Sequence, residues 1–440
     1  MLLTPRDHQI LRLAVPSIVS NVTVPLLSLV DLTIAGHFGA ASYIGAIAVG
    51  SMMLNMIYWI FGFLRMGTSG LTSQAYGRQR TDEMGQSFFR AVTVAAGFAL
   101  CLIVLQQPIL FLSHYLIDAT PEVWRMAALY FHILIWGAPA MLGLYCINGW
   151  LVGMQNSRYT MVVALVQNLL NIGLSLFFVC VLGWKIEGCA AGTLLAQYVG
   201  LGLGLYFCRH HFRPCLQLKF WRSSFARPDM RRFFSVNRDI FLRTLCLVAV
   251  TTCFTAGGAA GGEVVLAVNA LLMQLFMLFS YVMDGFAYTG EALGGRYFGA
   301  ADARSFRAVV RRLFGWGVVL AVLFTLIYSV GGSAFLRLLT NDMTVVGAAA
   351  TYFPWAVAIP LVSFSAFLLD GIYVGTTSTR PMLVAMVGAM IGFFVVELGL
   401  RPWFHNHALW AGFLLYLGLR GGIEALYYRK VAGLIARTEN

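Results

Sequence analysis

Charged side chains are scarce in this chain. Only 11% of its 440 residues are Asp, Glu, Lys or Arg, whereas 59% are hydrophobic, and the mean hydropathy is +0.78. A soluble domain of this composition would expose enough apolar surface to aggregate in water. The shortage of charge therefore excludes an ordinary soluble protein and predicts an integral membrane protein.

The motifs of soluble catalysis are also missing. The eight cysteines include no CxxC pair, and the eight histidines are not spaced with Cys or acidic residues as metal ligands are. No Walker phosphate-binding sequence occurs, so any uphill transport must draw on an ion gradient and not on ATP bound to this chain. We therefore expect no enzyme activity, no cofactor and no bound metal.

Long apolar runs make up most of what is present. A spanning helix needs about 20 mostly apolar residues. Twelve such runs occur, at 13–36, 43–66, 88–110, 124–150, 160–182, 188–208, 240–260, 264–288, 309–331, 349–374, 381–400 and 407–428. Their number predicts an all-α membrane fold with both termini on the same side of the bilayer.

Basic residues lie mostly in the short loops between these runs. The formal net charge is +12, and a cytoplasmic N-terminus puts 24 of the 30 Lys and Arg residues inside and only four outside. Because positive charge concentrates in the cytoplasmic loops of membrane proteins, the basicity indicates orientation and not a nucleic-acid partner. We predict a multi-pass protein of the prokaryotic cytoplasmic membrane with both termini in the cytoplasm.

One offset of 222 residues aligns several separated segments of the chain. The matched pairs are Gly149 with Gly371, Val152 with Val374, Gly153 with Gly375, Ser157 with Thr379, Arg158 with Arg380, Leu71 with Leu293, Tyr76 with Phe298, Gly77 with Gly299 and Arg90 with Arg312. Duplicated helical membrane domains typically enclose a central site that opens alternately to either side. This repeat predicts a transporter.

Six runs in each half give the two repeats the same orientation, as in a parallel repeat about a pseudo-two-fold axis. We predict an N-terminal six-helix lobe at 1–208, a basic cytoplasmic linker at 209–239 and a C-terminal six-helix lobe at 240–440. The linker is polybasic, which favours contact with the anionic lipid of the bilayer.

Six acidic residues fall inside the apolar runs or close to their ends. They are Asp31, Asp284, Glu291, Asp370, Glu397 and Glu424. Burying a carboxylate is costly, so such residues usually pair, take a proton or bind a cation. The three glutamates lie near helix ends or arginines, which favours ordinary ion pairs. Asp31 has no basic residue within one helical turn and is therefore the principal functional candidate.

The run from Pro16 to Gly36, PSIVSNVTVPLLSLVDLTIAG, resembles helix 1 of the MATE family of multidrug and toxic compound extrusion transporters, and specifically its DinF branch. The resemblance extends over the whole chain. It continues through FLRMGTSGLTSQAYG (63–77), NGWLVGMQNSR (148–158), VNRDIFLR (236–243), AVNALLMQ and YVMDGFAY (267–288), LLDGIYVG (368–375) and NHALW (406–410).

This resemblance implies two six-helix lobes around a central cleft that export organic compounds in exchange for protons or sodium. It also implies that Asp31 is the ion-coupling residue, with a polar cluster at Asn148, Asn171, Ser175 and Thr193. Pro16 corresponds to the part of helix 1 that bends when the site takes a proton, and we expect the rearrangement to involve Pro25 as well.

The chain departs from the family pattern at one position. Many relatives have an aspartate four residues after the helix 5 asparagine, where this chain has Ser175. Asn171 and Ser175 share one helix face, so both can point towards Asp31. Loss of the second acid removes a charge from any sodium site, so we expect coupling to protons, with sodium as the alternative. In the alternative interpretation Asp31 has a structural role, in which it only hydrogen-bonds to Asn171 and Ser175 and stabilises the lobe.

The substrate site is expected in the cleft, lined by adaptable apolar side chains and two acids. The candidates are Met53, Met56, Trp59, Met273, Met277, Tyr281, Asp284 and Asp370. Ordinary packing explains the methionine spacing equally well, and a structural role explains Asp370. We expect a small organic, cationic or amphipathic substrate and a monomeric transporter.

Two other functions remain open. A lipid-linked precursor flippase with a related two-lobed plan needs several basic residues in the cleft, and here only Arg65 and Arg420 lie within apolar runs. A membrane scaffold without transport requires neither an isolated acid in mid-helix nor a duplicated core.

Overall fold

The computed structural model describes residues 4–38, 41–117, 119–339 and 342–438. Within these ranges a few side chains lie outside the description. They are those of 24, 26–38, 41, 116, 333, 338–339 and 434–438. In the described ranges the regular secondary structure is helical and no strand occurs, which confirms the predicted all-α fold.

The first half of the chain contributes nine helices. They are α1 (Pro5–Phe38), α2 (Ala41–Ile60), α3 (Phe63–Gly77), α4 (Thr81–Val104), α5 (Gln106–Leu116), α6 (Pro121–Leu134), α7 (Ala138–Gly153), α8 (Ser157–Leu176) and α9 (Ile186–His211). A π-helical turn, Phe177–Val181, extends α8.

Eight helices follow. They are α10 (Lys219–Ser223), α11 (Arg227–Ala260), α12 (Glu263–Thr289), α13 (Gly295–Gly299), α14 (Ala303–Leu339), α15 (Met343–Gly375), α16 (Thr379–Phe404) and α17 (Asn406–Thr438). A π-helical turn, Gly290–Gly294, joins α12 to α13.

Eleven helical segments in the described part of the chain are long and apolar enough to cross a membrane. Each of them coincides with one of the predicted runs from 43–66 onwards. The predicted first run, 13–36, lies within α1, and most of its side chains fall outside the description.

The helix that contains the seventh apolar run, 240–260, begins earlier than that run predicts. The apolar run starts at 240, whereas α11 begins at Arg227, inside the predicted linker. Hydropathy detects only the apolar part of a helix, and the polar first turns of α11 escape it. Arg243, near the start of this apolar run, lies inside α11 and is only 6% exposed.

The contacts divide the chain into two compact units. One contains residues 19–234 and the other contains residues 1–18 together with 235–440. In the 19–234 unit, Trp150 is fully buried and packs edge-on against Phe88. In the second unit, Trp410 and Phe413 are buried with Phe254 against them. Each unit therefore has its own apolar core.

The internal repeat appears in the backbone of the turns. Gln79 and Gln155 adopt φ values of 58° and 62°. The residues 222 positions later, Ala301 and Thr377, adopt φ values of 55° and 52°. Non-glycine residues rarely take this left-handed conformation. Its recurrence in both pairs of turns supports a duplicated unit.

Candidate functional site

The first polar cluster lies where α8 packs on α9. Ser175 is fully buried, and a Cβ added at Gly192 would lie 2.7 Å from the Ser175 Oγ and 2.8 Å from its backbone nitrogen. Glycine at 192 therefore lets the two helices approach closely enough to enclose a hydroxyl group.

Asn171 and Thr193 join the same cluster from the two helices. The Asn171 Nδ2 donates a hydrogen bond to the Thr193 Oγ1 at 2.7 Å, and that hydroxyl donates to the Cys189 carbonyl at 3.0 Å. The hydroxyl proton is thus committed to the helix backbone, which makes Thr193 an acceptor for Asn171. The family resemblance implies a cluster that includes these residues, and in the structure α8 and α9 bring Asn171, Ser175 and Thr193 side by side.

Three polar atoms of the predicted cluster have no hydrogen-bond partner among the described residues. They are the Asn171 Oδ1, the Ser175 Oγ and the Asn148 Oδ1. Leaving a buried polar group unsatisfied costs about 1 to 3 kcal/mol, so the unpaired groups of α8 favour a further polar group or ion nearby. Asn148 is half-buried in α7.

Asp31, the predicted coupling residue, lies on α1 in the same 19–234 unit. Its side chain is outside the described residues, so its contacts are not assigned. Pro25 is half-buried on the same helix.

Pro16 lies on the early part of α1, which belongs to the other unit. Pro16 is buried, and α1 crosses α12 closely in this region. A Cβ added at Gly285 on α12 would lie 2.4 Å from the Ile18 side chain and 3.0 Å from the Ala14 carbonyl oxygen. A proline inside a helix removes one backbone donor and weakens the helix locally. The glycine after Asp284 allows this close crossing.

The predicted substrate-lining residues occupy mixed environments. In α2, Met53 is buried, whereas Met56 and Trp59 are 53% and 45% exposed. In α12, Met273 packs against the apolar core of its unit and Met277 is 37% exposed. Two further candidates on α12, Tyr281 and Asp284, are half-buried. The exposed side chains remain candidates, and Met53 and Met273 contribute to packing.

The second polar cluster lies in the unit that contains residues 235–440. There the guanidinium groups of Arg243 on α11 and Arg420 on α17 both bind the Asp370 Oδ2 on α15. All three side chains are less than 9% exposed. Asp370 is therefore held by two cations, which favours the structural interpretation of this residue.

Sequence reasoning missed Arg243 as a partner of Asp370. A usable signal was present, because Asp239 and Arg243 are one helical turn apart within the matched motif VNRDIFLR. Asp239 is also buried, and its Oδ2 accepts a hydrogen bond from the Thr379 Oγ1 at 3.0 Å. Two buried charged residues at this spacing indicate that the helix face turns inward.

The buried glutamates differ from one another. Glu397 pairs with Arg401, with 2.6 Å between the Glu397 Oε1 and the Arg401 Nη1, as the sequence predicted. Glu424 was expected to pair in the same way, which is wrong, since neither of its carboxylate oxygens has a hydrogen-bond partner among the described residues. The reason is that its neighbour Arg420 binds Asp370 instead.

Metal binding finds no support in the side chains that the structure describes. Within that part of the chain, no group of three or more His, Cys, Asp or Glu side chains is placed to hold a metal ion. No disulfide forms between cysteines in the described part of the chain, where Cys180 is exposed and Cys189 is buried.

Comparison with known proteins extends over nearly the whole chain. The family described as MatE matches residues 16–177 and 241–398. The DNA damage-inducible protein F of Escherichia coli K12 is 35% identical over 97% of this chain and 93% of its own length. A probable multidrug resistance protein NorM of Xanthomonas axonopodis pv. citri is 24% identical over 97% of this chain and 94% of its own length.

Solved structures share the fold. A multidrug resistance MATE family transporter in an outward-facing conformation has a TM-score of 0.88 at 16% identity, covering 98% of this chain and 96% of that one. A MATE structure in complex with MaL6 also has a TM-score of 0.88, covering 98% and 97%.

Proposed function

This chain belongs to the MatE family of membrane transporters, and from that premise we propose that it is a secondary active antiporter that exports small organic compounds in exchange for protons. It is a multi-pass membrane protein and not an enzyme. Export by alternating access, in a monomer of the prokaryotic cytoplasmic membrane with both termini in the cytoplasm, is part of the proposal.

The observation that carries the proposal is the unsatisfied polar pair on α8. The Asn171 Oδ1 and the Ser175 Oγ are buried without partners among the described residues, on the unit that also contains Asp31. A hydroxyl donates to a carboxylate, whereas an amide oxygen accepts from a protonated carboxyl group. The pair therefore suits an acid that alternates between its two protonation states.

The choice of proton over sodium rests on the ligand set. Sodium is held by several oxygen ligands whose total charge sets the affinity. Here Asp31 is the only carboxylate in the proposed cluster, because position 175 is serine. One carboxylate with neutral oxygen ligands is sufficient to bind a proton but binds sodium only weakly.

Protonation is coupled to export through α1. In the proposed cycle Asp31 takes a proton from the outside, loses its negative charge and no longer needs the donor groups around it. Helix α1 then rearranges about Pro16 and Pro25, the cleft changes shape, and the substrate leaves before the proton passes to the cytoplasm. Prolines favour this movement, because the backbone hydrogen bonds are already interrupted there.

The substrate is proposed to be cationic or amphipathic. Met56, Trp59 and Met277 expose adaptable apolar surface that can contact varied organic molecules. Relatives named as multidrug resistance proteins agree with a broad range of small compounds. A lipid-linked precursor flippase is less favoured, because the buried guanidinium groups of Arg243 and Arg420 are already bound to Asp370.

The test uses purified protein in liposomes loaded with a fluorescent organic cation. A pH gradient should drive dye movement, whereas a sodium gradient of the same size should not. Asp31→Asn should abolish the movement while the protein still inserts and elutes as a monomer. Full transport by that variant, or transport driven by sodium alone, would contradict the proposal. Trp59→Ala should alter the apparent affinity for the dye and leave the ion dependence unchanged.

A further inference from the structure

Glu424 is a fully buried acid that the proposed mechanism does not use. It lies on α17 and is 0% exposed. Neither carboxylate oxygen has a hydrogen-bond partner among the described residues. Its backbone carbonyl accepts from the Tyr373 hydroxyl at 2.6 Å, which fixes the helix there without contributing to the carboxyl group.

A buried ion pair nearby explains why Glu424 lacks a donor. Arg420 is one helical turn before Glu424, a spacing at which an arginine normally reaches a glutamate. Its guanidinium group binds Asp370 instead, together with that of Arg243. A buried charge without a hydrogen-bond donor costs roughly several kcal/mol, so the neutral, protonated form of Glu424 is favoured while the side chain is buried.

Other carboxyl groups act on the same two arginines. Asp284 and Glu291 act electrostatically on Arg243, and Asp370 binds both guanidinium groups. Glu424 therefore shares these two cations with three further acids, which favours the neutral form of its carboxyl group.

Several neighbouring elements contribute ionisable groups around Glu424 and its two arginines. These groups are Arg243 and Cys246 on α11, Asp284 on α12, Glu291 in the π-helical turn, Asp370 and Tyr373 on α15, and Tyr416, Arg420 and Tyr428 on α17. Arg307 on α14 acts on Tyr428. Helix α16 has no ionisable side chain between Arg380 and Glu397. None of these residues donates a hydrogen bond to the Glu424 carboxyl group.

We infer that Glu424 is a second proton-exchanging residue, located in the C-terminal half of the transporter and separate from the polar cluster of α8 and α9. One carboxylate oxygen gains a proton from water to form an O–H bond and returns it to water later, with no change in oxidation state. Because the side chain is sealed in this conformation, each exchange requires its unit to open. The inference deepens the proposed proton coupling and rests on it for its role in transport.

Glu397 is a matched control inside the same unit. It is also a buried glutamate four residues from an arginine, at 1% exposure, but Arg401 binds its carboxylate. The two sites differ mainly in whether the arginine reaches the acid. Glu397→Gln therefore removes a buried acid whose arginine partner is in place, and it controls for the loss of a buried carboxyl group in general.

The test is infrared difference spectroscopy of the full-length protein in phospholipid vesicles as the pH is raised. The wild type should show a carboxylic acid C=O band that disappears on deprotonation. Glu424→Gln should lose that band and Glu397→Gln should keep it. If Glu424→Gln does not fold, Glu424→Asp keeps the carboxyl group and should shift the band. A spectrum that is unchanged in either Glu424 variant overturns the inference, as does loss of the band on adding sodium at fixed pH.

Transport supplies an independent measurement. If Asp31 and Glu424 each carry a proton, the steady-state substrate ratio in wild-type liposomes rises with the square of the proton ratio. In Glu424→Gln the substrate ratio should rise with the first power of the proton ratio, and Glu397→Gln should behave like the wild type. A square dependence in Glu424→Gln overturns the role of Glu424 in coupling. Retained transport in Asp31→Asn instead contradicts the proposed function, and the infrared result remains a separate test.

Discussion

Gly149 approaches Arg65 so closely that a Cβ at position 149 would lie 2.2 Å from the Arg65 carbonyl oxygen. The same relationship recurs 222 residues later, where a Cβ at Gly371 would lie 2.1 Å from the carbonyl oxygen of Ala287. In each unit a glycine thus allows two helices to pack backbone against backbone. The repeat seen in the sequence is a repeat of this contact.

Replacing either glycine by alanine should destabilise the protein. Gly149→Ala and Gly371→Ala place a methyl group against a backbone that cannot rotate away, and overpacking of this kind costs about 1 to 3 kcal/mol. The measurement is the apparent unfolding temperature in detergent. Gly97→Ala is the control, because nothing lies within 4 Å of that added Cβ, and it should unfold at the wild-type temperature or slightly above. Equal stability of all three variants would contradict the close contacts.

The ion selectivity should depend on position 175. Ser175→Asp adds a carboxylate beside Asn171 and Thr193, so the cluster gains the charge that favours a cation. We expect dye transport by this variant to respond to a sodium gradient, whereas the wild type responds only to a pH gradient. The measurement compares transport rates under each gradient in liposomes. Ser175→Ala, which adds no charge, should stay insensitive to sodium, and a sodium response in both variants would show that position 175 does not set selectivity.

The sequence predicted the membrane fold because hydropathy and the 222-residue offset are properties of residue order alone. The family resemblance also predicted a polar cluster that includes Asn171, Ser175 and Thr193, and helical spacing places the first two on one face of a helix. Sequence reasoning missed Arg243, because a single arginine at the edge of an apolar run is normally a loop residue. The spacing of Asp239 and Arg243 indicates an inward-facing helix face, but only the packing of α11, α15 and α17 identifies Asp370 as the partner of Arg243.

Glu424 shows a different limit of the sequence. An arginine and a glutamate four residues apart predict an ion pair, and Glu397 with Arg401 forms one. At Arg420 and Glu424 the same spacing fails, because Asp370 on another helix competes for the guanidinium group. Competition between partners on different helices is a tertiary property that no local spacing encodes.

Removing the acid at position 370 should be strongly destabilising. Asp370→Asn leaves the buried Arg243 and Arg420 without the carboxylate that binds both, and breaking a buried ion pair on one side costs about 3 to 5 kcal/mol. We expect a lower apparent unfolding temperature in detergent and a reduced yield of monodisperse protein. Replacing one cation as well, in Asp370→Asn with Arg420→Gln, should recover part of the loss. A single variant as stable as the wild type would show that the pair contributes nothing to the fold.

The N-terminal turn of α1 should make stability depend on pH in the acid range. Asp7 lies before the predicted span, and hydrogen bonds from the Thr4 hydroxyl and backbone N–H, at 2.6 and 2.8 Å, hold the pKa of Asp7 below its usual value of 3.8. The Trp316 Nε1 on α14 also donates to this carboxylate at 3.1 Å.

Because the pKa is lower in the folded state than in the unfolded state, the Asp7 carboxylate stabilises the fold at pH values above 3.8. This contribution is lost as the pH falls below that value towards the pKa of the folded state. Hydrogen bonds to a charged group contribute about 1.5 to 3 kcal/mol each, so Asp7→Asn should lower the free energy of unfolding near neutral pH by a similar amount.

The measurement is the unfolding temperature of the wild type and of Asp7→Asn as a function of pH. The difference between the two unfolding temperatures should shrink in acid. The control variant Glu187→Gln, at an exposed position, should unfold at the wild-type temperature at every pH. A difference that stays constant down to strong acid would mean that the charge of Asp7 does not hold α1 to α14.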